Sequence, residues 1–126
     1  MVTPLKLCVG DYCLQISRIN DIWYECILSF GDSSIRLGAE APTYLKQHLS
    51  IGLTGGPKTS AGKLEGREVY WVLSLAENHH MLFAALDNTG VTLYWQAKWP
   101  EPVTVVAAMH LSREDCLEWR RQLEQL

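Results

Sequence analysis

The sequence predicts an α+β fold, antiparallel sheets with two helices, in the pseudo-duplicated order ββββα-ββββα. Three observations predict it. Short runs alternate apolar and polar residues with period two and are cut by Gly-Asp, Asn-Asp and Asn-Thr-Gly turn clusters. Two segments, 41–52 and 112–125, carry helical spacing with boundary signals instead. A stretch rich in Gly, Ser and Thr, 53–66, divides the chain so that each part ends in a helix.

Residues 5–9 and 12–19 read as strands around Gly10-Asp11, a pair suited to a two-residue hairpin because glycine accepts positive φ. That register sets Cys8 opposite Cys13. Asn20-Asp21 makes the next turn. In 22–30, Tyr24, Cys26, Leu28 and Phe30 alternate with Trp23, Glu25, Ile27 and Ser29, which predicts an inward even-numbered face. Gly31-Asp32 leads into a short strand over 33–38. Pro42 suits a first helical position and Gly52 a C-terminal stop, with Tyr44, Leu45, His48 and Leu49 on one side of the helix between them.

Residues 53–66 read as a flexible linker between half-repeats over 5–52 and 67–126. The stretch 67–100 holds three of the five tryptophans and breaks into a meander of strands at 69–76, 81–87 and 91–99. In the last of these, Val91, Leu93, Trp95, Ala97 and Trp99 alternate with Thr92, Tyr94, Gln96 and Lys98. One face therefore packs, and the other meets solvent or a partner. Pro100 and Pro102 interrupt the chain before a β-branched strand at 103–110. Ser112 and Asp115 form a variant capping box with Leu111 and Cys116 as hydrophobic staple, and Cys116, Trp119, Leu123 and Leu126 recur at helical spacing.

A length of 126 residues fits one domain, 1–126, and 48% hydrophobic with 20% charged residues fits a folded chain. No apolar run is long enough to cross a membrane, and no secretory signal opens the chain. The four cysteines then read as small apolar residues of a cytoplasmic protein. The net charge is −3: residues 1–66 hold six basic against six acidic residues, 67–126 five against eight. Such a chain lacks the overall basic field of nonspecific nucleic-acid binding.

The linker fails as a phosphate-binding loop, because five residues rather than four separate Gly56 from Gly62-Lys63, Leu64 follows, and a strand comes next. The cysteines and histidines lack metal-site spacing, so His79-His80 reads as a solvated turn, His48 as a helix-surface or boundary residue and His110 as a strand end. No nucleophile elbow or triad signature is present. No cofactor or metal is expected. Cys8 and Cys13 remain a candidate redox pair, since facing residues of an antiparallel ladder approach disulfide range.

A candidate partner or nucleic-acid surface comprises Tyr94, Gln96 and Lys98, Tyr70 on a flanking strand, and Arg36, Lys58, Lys63 and Arg67 at or near the linker. Bases stack on such tyrosines while cations follow phosphates. The favoured reading is instead that both tyrosines cover a sheet face beneath a helix or at a dimer interface.

Over nearly the whole chain the element order resembles the whirly-like fold, found in single-stranded-DNA-binding regulators and in small cyanobacterial proteins of similar length. The lysine-rich signature of that family has no counterpart here, and no site residue is carried over. A duplicated sheet leaves faces and edges to cover, which a second copy would do, so a homodimer is expected. The leading functional expectation is a non-enzymatic interaction or regulatory module acting through a sheet surface, with a protein partner. Single-stranded nucleic-acid binding and a small-ligand or enzymatic pocket are the alternatives.

Overall fold

Tight turns build the first sheet. Gly10 and Gly31 adopt φ of 55° and 56°, and the two-residue loops they open join Val9 to Tyr12 and Phe30 to Ser33. The strands β1 (Leu5–Val9), β2 (Tyr12–Arg18), β3 (Tyr24–Phe30) and β4 (Ser33–Glu40) form one antiparallel sheet in chain order. Helix α1 (Pro42–Thr54) follows. A second antiparallel sheet runs β5 (Ser60–Leu64), β6 (Arg67–Leu75), β7 (His80–Asp87), β8 (Gly90–Ala97) and β9 (Thr104–Ser112), and α2 (Arg113–Leu123) closes the chain. The computed structural model describes residues 4–54, 59–75, 80–97 and 104–126.

The predicted order of strands and helices is the observed one, with one addition. The stretch read as a linker contributes the edge strand β5. Glu65 and Gly66, at φ of 53° and 77°, make the two-residue turn that pairs Leu64 with Arg67, and Leu64 packs on an apolar cluster of the sheet. Glutamate is uncommon at positive φ, so composition alone pointed to a linker. Likewise β3 begins at Tyr24 rather than at residue 22. The side chain of Asn20 accepts the amides of Ile22 and Trp23 at 2.8 and 2.9 Å, which draws those donors into the turn.

The inner faces of both sheets and one side of each helix share a single apolar core. Leu7, Leu14 and Leu28 enter it from the first sheet, Leu82, Leu93 and Trp95 from the second, and all are buried. Leu45 and Leu49 enter from α1, and Cys116, Trp119 and Leu123 from α2. Each such large side chain contributes roughly 1.5–3 kcal/mol of transfer free energy. The capping box at Ser112 and Asp115 forms as expected, and α2 packs against β1 as well as β8 and β9.

Two histidines complete the sheets at their bulges. Leu37 is the extra residue between Arg36 and Gly38 on β4, and Val72 the extra residue between Trp71 and Leu73 on β6. An extra residue drops out of the ladder, so its carbonyl needs another donor. His80 Nδ1–H donates to the Leu37 carbonyl at 3.1 Å, and His48 Nδ1–H to the Val72 carbonyl at 3.2 Å. His80 is therefore buried, only 7% exposed, and not part of a solvated turn; His79 lies outside the described residues. Burial pushes the His80 pKa below its ordinary value, outweighing the hydrogen bond to Leu37.

Gly90 has φ of 152°, and a Cβ there would stand 1.9 Å from the Leu111 carbonyl oxygen. Gly90→Ala is expected to destabilise the chain by more than about 2 kcal/mol in denaturant melts, because strain and a backbone clash add. Gly31→Ala, with open space around it, should cost only about 1 kcal/mol. Equal losses would sink this account.

His80 also sets a pH dependence. With a depressed folded pKa, its contribution is fully present above the unfolded value of 6.5 and is lost as pH falls from there toward the folded value. Thermal melts from pH 7.5 to pH 5 should show that loss. His80→Gln, which keeps a donor for Leu37, should flatten the slope, and an unchanged slope would show that His80 is not its source.

Candidate functional site

The outer face of the second sheet carries the densest polar cluster among the predicted site residues. It starts from Arg67, the first residue of β6. Its NH2 group donates to Asp87 Oδ2 at 2.8 Å and its NH1 group to Thr92 Oγ1 at 2.9 Å. Reaching Thr92 means crossing β7, where the residue paired with Thr92 is the small Ala85. A larger side chain there would block the path.

From Thr92 the bonds close into a ring. His110 on β9 pairs with Thr92; its Nδ1 lies 3.0 Å from Thr92 Oγ1, and its Nε2 lies 3.1 Å from Thr89 Oγ1. Thr89 Oγ1 in turn lies 2.6 Å from Asp87 Oδ1. One assignment of protons satisfies every member: Arg67 donates to Thr92, Thr92 to Nδ1 of His110, Nε2–H to Thr89, and Thr89 to Asp87. Asp87 Oδ1 also accepts the amides of Thr89 and Gly90 at 2.7 and 3.0 Å. The Thr89 bonds, above all its hydroxyl, hold the Asp87 pKa down at about 2.

This ring has no free reactive group. Each hydroxyl has its proton committed, and both carboxylate oxygens of Asp87 are engaged, so it ties β6, β7, β8 and β9 together at one end of the sheet. Asp87, Thr89, Thr92 and His110 were missed in the sequence. The Asp87-Asn-Thr-Gly90 run signalled only a turn, although an aspartate ahead of Thr-Gly is also an Asx-turn pattern.

The predicted partner surface divides. Tyr94 is 1% exposed and packs with Val69, Phe83 and Ala85, its hydroxyl 3.4 Å from both Arg67 and Glu65. It is thus not a bare stacking platform. Tyr70 pairs with Ala84, whose side chain joins the main core, whereas Tyr94 pairs with Phe83 in the outer cluster. Paired residues share a face, so the two tyrosines lie on opposite faces of the sheet. Alternation within each strand did not reveal this, because the relation between them depends on the register through β7 and on the bulge at Val72.

Arg36 belongs to the other sheet, where it meets Glu25 at 3.0 Å. Lys63, exposed on β5, and Gln96, half-buried on β8, do come together, lining a cavity of about 300 Å³ with Leu64 and Phe83. Lys58 and Lys98 lie outside the described residues. Among the described residues no three His, Cys, Asp or Glu side chains converge as metal ligands.

Cys8 and Cys13 pair across β1 and β2 in the expected register and form a disulfide, with Cys8 exposed. Cys26 and Cys116 are free thiols in the core. Burial first, then the Glu25 carboxylate, pushes Cys26 up to about 12, and burial raises Cys116 as well. Comparisons with protein-family models, curated proteins and solved structures found no match.

Thiol chemistry separates the two pairs. With the disulfide intact, a thiol reagent on the native protein should label nothing within minutes. After treatment with a small dithiol reductant, two groups should react, both on Cys8 and Cys13 by peptide mapping, while Cys26 and Cys116 wait for denaturant. Native labelling of Cys26 would contradict its placement.

Proposed function

We propose that the chain is a non-enzymatic interaction module that assembles as a homodimer through the β2–β3 end of the first sheet. The observation that carries this reading is a rigid apolar tip. Ile19, Ile22 and Trp23 are 49%, 63% and 43% exposed within five consecutive residues. Isolated exposed hydrophobes are ordinary, whereas three on one turn form a patch that gains from being covered.

The turn is already ordered. Besides the Asn20 side chain, the Ile19 and Asn20 amides donate to the Trp23 carbonyl at 2.9 and 3.3 Å, Arg18 donates to the Asn20 carbonyl at 3.2 Å, and Arg18 pairs with Asp21. A partner then loses little conformational entropy in ordering it. Tryptophan and isoleucine on a fixed turn suit the apolar centre of an interface, with Arg18 and Asp21 at its rim. In a symmetric dimer the same patch meets itself, so Trp23 can pack on the partner's apolar residues.

Single-stranded nucleic-acid binding, the activity a whirly-like element order would suggest, has less support from the geometry. Tyr94 is buried, Arg67 is held by Asp87, and Arg36 lies on the other sheet.

Sedimentation equilibrium at micromolar concentration should give twice the chain mass for the native protein and the single-chain mass for the Ile22→Ser/Trp23→Ser variant. Both substitutions fall on exposed positions, so the variant should keep its native melting temperature within a few degrees. A monomeric native protein would end the homodimer reading.

A further inference from the structure

A cavity of about 440 Å³ lies between the end of α1, the β7–β8 turn and the first turns of α2. Its walls are apolar where Leu53, Leu86, Val91 and Leu117 meet it, and Leu86 and Leu117 stand 41% and 62% exposed. Arg113 and Arg120 also line it. They lie seven residues apart on α2, about 10 Å along the axis, so two flexible guanidinium arms can converge over the Leu117 between them.

Neither arginine forms an ion pair or a side-chain hydrogen bond among the described residues. The acids of α2 are not paired with them, and Glu114 forms no ion pair among the described residues. Asp115 is engaged in the helix cap, and Glu118 takes Arg121 at 2.5 Å and Gln122 at 3.0 Å. Asp87 borders the cavity as well, but Arg67 offsets its charge and its oxygens accept from Thr89 and Gly90. The cavity thus joins an apolar wall to two arginines that have no ion-pair partner among the described residues.

We propose that this groove is a binding site for an aliphatic monocarboxylate, whose chain lies against Leu53, Leu86, Val91 and Leu117 and whose carboxylate is taken between Arg113 and Arg120. The volume falls in the small-molecule range of about 300–1,000 Å³, which favours a compact ligand over a docked helix. The planar fork of arginine fits a carboxylate with two parallel hydrogen bonds. An uncharged chain would gain only the apolar contact, and a cation would be repelled. This site is separate from the β2–β3 tip, and neither reading depends on the other.

Octanoate and 1-octanol are the probes, titrated into the full chain by calorimetry with amide chemical shifts recorded in parallel. Octanoate is expected to bind at one site per chain, shifting the amides of Leu53, Val91 and Leu117, and to bind at least about tenfold more tightly than 1-octanol. Arg113→Gln/Arg120→Gln should weaken octanoate by about tenfold or more while leaving 1-octanol unchanged, since removing the donors of a carboxylate costs far more than removing contacts to a chain. Both positions are exposed, so the variant should fold, and an unchanged melting temperature checks that it has. The Ile22→Ser/Trp23→Ser variant should bind octanoate as the native chain does, which keeps this result apart from the oligomeric state. The proposal is overturned by no shift at these amides up to about 10 mM octanoate, by equal affinity for 1-octanol, or by undiminished octanoate binding in the arginine double variant.

Discussion

Trp119 is the side chain on which the joining of the two sheets depends. It is 2% exposed in the common core, and its indole N–H donates to the Cys8 carbonyl at 3.2 Å, across 111 residues of chain. The same helix rests on β8 and β9. The C-terminal helix therefore holds the N-terminal strand to the second sheet, and a hydrogen bond in a buried setting fixes where the indole sits as well as how deeply. Trp95 shows the contrast. Its indole nitrogen is buried with no partner among the described residues, which costs about 1–3 kcal/mol that its apolar contacts must offset.

Most of the fold could be read from turns and periodicity, because those signals are local. The Gly10-Asp11 loop fixes the register that brings Cys8 to Cys13, and the capping box at Ser112 starts α2 where the sequence places it. The edge strand β5 was hidden because Lys63 and Gly62 have little strand preference, and what recruits them is the distant cluster around Phe83 and Tyr94. His80 was misread for a similar reason. A bulge is a non-local event, and nothing around His48 or His80 announces that Val72 or Leu37 will need a donor.

The candidate surface was less legible than the fold, since it required knowing which faces of separate strands coincide. Tyr70 and Tyr94 each alternate correctly within their own strands, yet register puts them on opposite sides of one sheet. Arg67 was recognised as a basic group near aromatic residues, but its charge is directed inward by Asp87 and its reach is set by the methyl side chain of Ala85. Polar residues here mostly serve one another. The ring through Arg67, Thr92, His110, Thr89 and Asp87 satisfies its members and so rigidifies the sheet end instead of offering chemistry.

What remains uncommitted is then informative, and α2 holds much of it. One side of that helix, Cys116, Trp119 and Leu123, belongs to the core, and the neighbouring side, Arg113, Leu117 and Arg120, lines the groove. A ligand resting on the second side would press the helix that holds the first, so occupancy of the groove and docking of the two sheets would be thermodynamically linked. Anything that binds the folded chain alone stabilises it in proportion to the logarithm of its concentration over Kd. Because α2 reaches β1 through Trp119, that stabilisation would extend to the strand carrying Cys8, at the far end of the sequence. The groove lies where α2 meets the end of α1 and the β7–β8 turn, and a ligand bound there would bear on the whole core.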